Sequence, residues 1–244
     1  MAPRGHRVAR EHDGEPNMSL IPEPDQVRLR QDFAAMSEPV TLIFFTRASD
    51  CPTCEQTRQV LDEIPPLAPL VSIEQVDFDL EPARAATYAI DRAPAIAIVR
   101  RAADGSERDS HIRFLGTPSG YEFISLVRAI LLVGGGPSML SDESRRKLAA
   151  IDRPMAMHVF STPTCPHCPR AVTLAHEVAW ANPHVTAYAV EATEHPDLAR
   201  TYRVTGVPKT VINDRTEILG AVPEDEFIDQ TVTGFTAAPV EGHA

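Results

Sequence analysis

The stretch "FSTPTCPHCPRAV" (residues 160–172) places Cys165 and Cys168 two residues apart. It overlaps the end of the apolar run "MAMHVFS" (155–161), which is typical of a buried strand, and it opens a segment with apolar residues at helical spacing. A cysteine pair at such a junction can bind a metal, brace the fold or carry out redox chemistry. The rest of the sequence distinguishes between these three roles.

The chain contains a second copy of this design. An offset of 114 positions carries "CPTC" (51–54) onto "CPHC" (165–168), and it lays "TYAIDRAPAIAI" (87–98) over "TYRVTGVPKTVI" (201–212). The chain has four cysteines, and all of them fall in the two motifs. We therefore interpret the sequence as two copies of one unit of roughly a hundred residues.

Each copy has the same order of predicted elements. A buried strand leads to the cysteine motif and a helix, and an alternating stretch then forms another strand, "VSIEQVDFDL" (71–80) or "VTAYAVE" (185–191). A short polar helix, a strand after an X-Pro pair, a turn, a further strand and a closing helix complete the unit. This order predicts an α/β fold with three layers, in which a mixed central sheet is covered by helices on both faces.

Glycines and a proline mark the boundary between the two copies. The segment "GGGP" (134–137) cannot continue a helix, and Ser141 is the predicted N-cap of the helix that follows. The predicted organisation is a disordered polar tail over 1–19, a first unit over 20–133, a Gly/Pro linker over 134–140 and a second unit over 141–244.

The composition argues against two classes of partner. The net charge of −11 argues against nucleic acid, because phosphate binding requires a basic surface. No apolar run reaches the roughly 18 residues that a membrane span needs. The polar start "MAPRGHRVAREHDGEPN" (1–17) lacks the apolar segment of a secretory signal, so we predict a cytoplasmic location. Thiols there are usually kept reduced, which favours catalytic or metal-binding cysteines over structural ones.

The position of each motif predicts how its two cysteines divide the chemistry. A cysteine at the first turn of a helix lies beside unpaired N–H groups and the positive end of the helix dipole, and both stabilise the reactive thiolate. We therefore predict that Cys51 and Cys165 attack, and that Cys54 and Cys168 resolve the mixed disulfide that forms. An imidazolium at His167, so close to Cys165, would favour that thiolate further.

An X-Pro pair lies 43 residues after the first cysteine of each motif, at Ala93-Pro94 and Val207-Pro208. Each pair precedes a strand that we expect to lie next to its motif. A cis bond at these pairs would turn free backbone groups of Ala93 and Val207 toward the sulfurs, where a substrate peptide could bind. The alternative is an ordinary trans proline at the start of a strand.

Zinc is the main alternative for the cysteines. Two C-x-x-C motifs can form a four-thiolate site, but such sites usually have about 15–20 residues between the pairs. Here 110 residues separate Cys54 from Cys165, and each motif has its own strand and helix. We therefore predict no metal site.

The motifs together resemble a known family. The order of strand, Cys-Pro-x-Cys, helix and X-Pro strand resembles the thioredoxin fold, and the proline between the cysteines resembles that of glutaredoxins. Two such units in tandem are similar to the glutaredoxin-like protein disulfide oxidoreductases. The segments that carry the resemblance are "DRAPA" (91–95), "TPTCPHCPRAV" (162–172), "VTGVPKTVIN" (204–213) and the linker helix "LSDESRRKL" (140–148).

The resemblance implies two thioredoxin-like units packed into one body. It also implies reduction, oxidation or isomerisation of protein disulfides, with a thioredoxin-reductase-like flavoenzyme as electron donor. No cofactor is implied beyond the redox-active disulfides Cys51–Cys54 and Cys165–Cys168. Two other functions remain open, an electron-carrier module for a peroxiredoxin system and a non-catalytic redox sensor.

One residue of the thioredoxin pattern is missing. Thioredoxins place a buried Asp six residues before the first cysteine, where this chain has Phe45 and Val159. The group that accepts the proton of the resolving thiol is therefore not identified by the motif, and Glu177 is the one candidate we name.

The surroundings of the two motifs differ in charge. Asp50 and Glu55 flank the first motif, and nearby negative charge disfavours a thiolate. The second motif contains His167 and has no adjacent acid. Because a stabilised thiolate makes a dithiol pair a stronger oxidant, we predict that the second site is more oxidising than the first.

Overall fold

Helices and strands alternate in the order predicted for each copy. The computed structural model describes residues 19–102 and 104–236, so the predicted disordered tail lies outside the described residues except for Ser19. The first unit consists of α1 (Glu23–Phe33), β1 (Val40–Thr46), α2 (Cys54–Asp62), β2 (Val71–Asp77), α3 (Pro82–Thr87), β3 (Ala95–Arg101), β4 (Glu107–Leu115), a 3₁₀ helix (Gly120–Glu122) and α4 (Phe123–Val133). The second consists of α5 (Asp142–Leu148), β5 (Met155–Ser161), α6 (Cys168–Ala181), β6 (Val185–Glu191), α7 (Pro196–Thr201), β7 (Lys209–Ile212), β8 (Thr216–Leu219) and α8 (Glu224–Thr236).

The strand before each motif has the predicted bounds. β1 and β5 cover 40–46 and 155–161, because an apolar run flanked by polar residues is buried as a whole. β2 is shorter than the predicted 71–80 and ends at Asp77. The Asp77 carboxylate accepts the backbone N–H of Asp79 at 3.0 Å and of Leu80 at 3.1 Å, which turns the chain away from the sheet.

The two units share one mixed sheet. Its eight described strands follow the order β2-β1-β3-β4-β6-β5-β7-β8. The join is a parallel pairing of β4 with β6, from Ile112 beside Ala187 to Leu115 beside Val190. Each unit thus covers an edge strand of the other, which removes two unpaired backbone edges from solvent. The α/β fold and the packing of both units into one body are confirmed.

Hydrophobic packing also crosses the boundary between the units. On one face of the sheet, α4 of the first unit packs on α6 of the second, and Ile130 and Ala175 belong to one buried cluster. On the other face, Phe45 of β1 and Phe160 of β5 belong to a second shared cluster. Because the core residues of one unit complete the core of the other, we expect the two units to unfold together.

The linker is anchored to the second unit. α4 ends at Val133, and Ser141 Oγ accepts the N–H of Ser144 at 3.1 Å, which confirms the predicted N-cap. Glu177 of α6 is buried, and its carboxylate accepts Ser138 Oγ at 2.5 Å and Met139 N–H at 3.0 Å. Glu177 therefore ties the linker to α6, and its carboxylate is already engaged there.

Among the described residues, no helix has both the length and the apolar character that would let it cross a bilayer.

His176 is a titratable group in the core between the units. Its ring packs edge-on against Phe114 with the centroids 5.0 Å apart, and neither ring nitrogen has a hydrogen-bond partner among the described residues. Burial lowers the pKa of the imidazole to about 3. The folded protein therefore holds His176 neutral throughout the ordinary pH range.

This neutral imidazole predicts a loss of stability in acid. Between the unfolded pKa of 6.5 and the folded value of about 3, the unfolded chain binds a proton at His176 that the folded chain does not, so stability falls as the pH falls. We expect His176→Leu, compared with wild type, to be more favourable at pH 4.5 than at pH 7.5 by about 2–3 kcal/mol. Urea unfolding at both pH values measures the difference. The control is His184→Leu at an exposed imidazole, and an equal effect of His176→Leu at both pH values would contradict the prediction.

Candidate functional site

The second motif forms a disulfide at the N-terminus of α6. Cys165 and Cys168 are bonded to each other, and α6 begins at Cys168. Cys165 keeps 9% of its surface exposed, whereas Cys168 has none. The backbone N–H of Cys168 points at Cys165 Sγ over 3.1 Å, where it would stabilise a thiolate in the reduced protein. The accessible and stabilised sulfur is thus that of Cys165.

The first motif has the same arrangement at the N-terminus of α2. Cys51 and Cys54 form the other disulfide, with Cys51 half-buried and Cys54 buried. The Cys54 N–H donates to the carbonyl oxygen of Cys51 at 3.3 Å. Each cysteine is therefore bonded to the partner within its own motif, and the structure separates the four into two independent pairs.

The two X-Pro pairs begin the strands next to the motifs. Ala93-Pro94 and Val207-Pro208 are both cis, and they precede β3 and β7. β3 pairs with β1 and β7 pairs with β5, so each pair lies beside the strand that leads into its motif. The Val207 carbonyl oxygen lies 3.9 Å from Cys165 Sγ. In the first unit, Ala93 packs on the same hydrophobic cluster as Cys51.

His167 lies at the N-cap position of α6, and its side chain is exposed and makes no capping hydrogen bond. Its influence on Cys165 would therefore pass through solvent, where charges interact weakly. The predicted tuning role of His167 stays a prediction.

Glu122 is an acidic residue near the second motif that the sequence analysis missed. It ends the 3₁₀ helix of the first unit, and the N–H of the preceding Tyr121 donates to the Pro163 carbonyl oxygen at 2.9 Å, two residues before Cys165. Glu122 is only 3% exposed, and neither carboxylate oxygen has a hydrogen-bond partner in the described part of the chain. Burial raises the pKa of this carboxyl to about 7.

A small cavity of about 10 Å³ separates Glu122 from Ser161, the last residue of β5. The cavity is large enough for one water molecule, which could connect the carboxyl to the polar groups around it. Sequence patterns do not reveal this site, because "YEF" (121–123) matches "DEF" (225–227) in the second copy, where Glu226 is exposed.

Comparisons with known proteins agree with this geometry. The thioredoxin domain family matches residues 155–233, which cover the second motif and its X-Pro pair. Thioredoxin from Methanocaldococcus jannaschii is 34% identical over 74 residues, which are 30% of this chain and 87% of that protein. The chain belongs to the thioredoxin-fold family.

Two solved structures extend the likeness of this thioredoxin-fold protein to both units. The N-terminal domain of alkylhydroperoxide reductase AhpF from Enterococcus faecalis superposes with a TM-score of 0.79 at 30% identity, over 86% of this chain and 98% of that one. A protein disulfide oxidoreductase from Aeropyrum pernix K1 superposes with a TM-score of 0.77 at 29% identity, over 86% of this chain and 92% of that one. The predicted resemblance to a tandem thioredoxin-fold family is confirmed.

The curated relatives include longer proteins. The F protein of the alkyl hydroperoxide reductase from Pseudomonas putida is 29% identical over 150 residues, which are 62% of this chain but 28% of that protein. This chain thus matches little more than a quarter of the length of that relative.

Proposed function

We propose that the protein is a thiol–disulfide oxidoreductase that reduces, oxidises or isomerises disulfides of other proteins at two dithiol sites. The observation that carries the proposal is a feature common to both units. Each has a disulfide-bonded C-x-x-C at a helix N-terminus, with an X-Pro pair at the start of the adjoining strand. The likeness to thioredoxin and to a protein disulfide oxidoreductase supports the same chemistry.

In the reducing direction, the Cys165 thiolate attacks a sulfur of the substrate disulfide, and the other substrate sulfur leaves as a thiolate. Cys168 then attacks Cys165 Sγ, which forms the Cys165–Cys168 disulfide and releases the second substrate thiol. Two electrons pass to the substrate, and the protein becomes oxidised. Cys51 and Cys54 perform the same steps at the first site. The greater exposure of Cys51 and Cys165 supports these two as the attacking thiols.

The X-Pro pairs are assigned to substrate binding. A peptide that approaches Cys165 in an extended conformation meets the backbone of Val207, whose carbonyl oxygen lies 3.9 Å from the sulfur. Backbone hydrogen bonds of this kind recognise a peptide without regard to its side chains. Pro208 fixes the start of β7 behind Val207, and Ala93 and Pro94 hold the equivalent place at the first site.

Glu122 is assigned as the proton acceptor of the second site. Cys168 must lose its proton before it can attack, and its side chain is closed off from solvent. A carboxyl with a pKa of about 7 is matched to proton transfer near neutral pH. Its location beside the loop that leads to Cys165 supports this role.

The redox partners are protein disulfides on one side and a thioredoxin-reductase-like flavoenzyme on the other. A second candidate function is that of an electron carrier to a peroxiredoxin, and the likeness to AhpF over 98% of its N-terminal domain favours it. In both cases the chemistry at the cysteines is the same, and we place it in the cytoplasm.

Reduction of insulin in the presence of dithiothreitol tests the proposed function. We expect wild type to accelerate the precipitation of insulin, and we expect a Cys51→Ser/Cys165→Ser double variant to leave the uncatalysed rate unchanged. Single variants at each position measure the share of each site. A wild-type protein that does not turn over would support a redox sensor and overturn the proposal. NADPH-coupled assays with a thioredoxin reductase and with an AhpF-type flavoprotein identify the electron donor.

A further inference from the structure

Glu194 belongs to the second unit but contacts the cysteine motif of the first. It lies between β6 and α7. One carboxylate oxygen accepts the hydroxyl of Thr53 at 2.6 Å, and Thr53 is the residue directly before Cys54. The other oxygen accepts the backbone N–H of Thr117 at 3.0 Å. A negative charge from one unit is therefore held against the redox loop of the other.

The turn that carries Glu194 is fixed in place by its neighbours. The Glu191 carboxylate accepts the Glu194 N–H at 2.5 Å and the Thr193 hydroxyl at 2.7 Å. On the opposite side, a Cβ at Gly116 would lie 2.7 Å from Glu191 Cβ and 3.2 Å from Glu194 Oε2. Only a glycine at that position permits the close approach, and its φ of +94° also favours glycine.

Threonines connect this carboxylate to the helix that follows the first motif. The buried Thr57 hydroxyl donates to the carbonyl oxygen of Thr53 at 2.8 Å, and it bonds the Thr117 hydroxyl at 2.8 Å. Thr117 in turn donates its N–H to Glu194. The hydrogen bonds form a closed ring through both units, so Glu194 has little freedom to move away from the motif.

The second site lacks this arrangement. The repeat places His167 at the position of Thr53, and it places Leu80 at the position of Glu194. Leu80 is 81% exposed. The carboxylate bridge is therefore a property of the first site only, and it adds to the difference between the sites that Asp50 and Glu55 create.

We propose that Glu194 is a positioning residue that lowers the redox potential of the Cys51–Cys54 pair. Its carboxylate, held against the loop between the cysteines, disfavours the Cys51 thiolate, and a disfavoured thiolate destabilises the reduced pair relative to the disulfide. The first site thereby becomes the stronger reductant, with control supplied by the second unit. The inference deepens the proposed function, since it concerns the electron transfer of one of its two sites.

Equilibrium titration with glutathione tests the role of Glu194. In a Cys165→Ser/Cys168→Ser background, which leaves only the first site, we expect Glu194→Gln to shift the equilibrium with glutathione about tenfold toward the dithiol. This corresponds to a rise in potential of about 30 mV. The pH dependence of alkylation of Cys51 should move to lower pH in the same variant. The control is Glu55→Gln, an exposed carboxylate beside the same motif, for which we expect less than a twofold shift.

Two further outcomes separate this role from a structural one. In a Cys51→Ser/Cys54→Ser background, Glu194→Gln should leave the potential of the second site unchanged, and an equal shift there would overturn the proposal. An unchanged first-site potential in Glu194→Gln would overturn it as well. If wild type fails to turn over insulin while Glu194→Gln still raises the first-site potential, the proposed function fails and the role of Glu194 stands.

Discussion

Replacement of Cys165 by serine is expected to lower disulfide exchange at the second site by at least about 100-fold, because a neutral hydroxyl replaces the thiolate nucleophile. The effect is measured in a Cys51→Ser/Cys54→Ser background, where the second site acts alone. Cys165 is the exposed member of its pair, and the Cys168 N–H lies 3.1 Å from its sulfur. No other thiol remains in that variant that could reach a substrate from the surface.

Cys168→Ser in the same background serves as the matched comparison. The attack by Cys165 still occurs, but the mixed disulfide cannot be resolved, so the variant should accumulate a covalent complex with its substrate. Non-reducing electrophoresis and mass spectrometry detect this complex. A complex that forms in Cys165→Ser instead would reverse the assignment of the attacking and resolving thiols.

Replacement of Glu122 by glutamine is expected to slow resolution at the second site by about 100-fold at pH 8, the low end of what general acid–base catalysis contributes. Wild type should show a step in the rate near pH 7, where the carboxyl loses its proton, and the variant should lack that step. Rapid mixing of the reduced second site with a model disulfide from pH 5.5 to 8.5 measures both properties. A step that persists in Glu122→Gln would assign the proton acceptor to another group.

The same substitution is expected to change the dependence of stability on pH. The pKa of Glu122 is raised from 4.5 to about 7 in the folded protein, so its favourable contribution is present below pH 4.5 and is lost as the pH rises through about 7. Relative to wild type, Glu122→Gln should therefore be more favourable at pH 8 than at pH 5 by about 2–3 kcal/mol. Urea unfolding at the two pH values measures this.

Glu226→Gln is the control for both experiments, because Glu226 occupies the equivalent place in the second copy and is exposed. We expect it to change neither the rate step nor the pH dependence of unfolding. If both glutamates behave alike, burial is not the property that distinguishes Glu122.

The fold was readable from the sequence where local pattern and burial agree. β1 and β5 have the predicted bounds because each is an apolar run buried along its whole length. β2 ended early because the Asp77 side chain formed a turn, which hydrophobic alternation cannot indicate. The parallel pairing of β4 with β6 was also not predicted, because a strand's pattern shows which face is buried but not which strand lies beside it.

The candidate site divides in the same way. The cysteines and X-Pro pairs were found from spacing and repetition, since two copies of a rare motif in register are specific. The acids were not, and Glu177, the candidate named from the sequence, binds the linker instead. Glu122 and Glu194 act on motifs that lie in the other unit, 43 and 141 residues away from Cys165 and Thr53 respectively.

The sequence by itself determined the chemistry, because two cysteines at a helix N-terminus favour dithiol exchange wherever the unit is placed. Only the tertiary structure decided which acid serves which site. The edge-to-edge joining of the sheets brings Glu122 of the first unit to the second motif and Glu194 of the second unit to the first. The properties of a carboxyl depend on its desolvation and on its hydrogen-bond partners, and both are set by segments distant in the chain. Each unit thus supplies the other with a charge that no local pattern encodes.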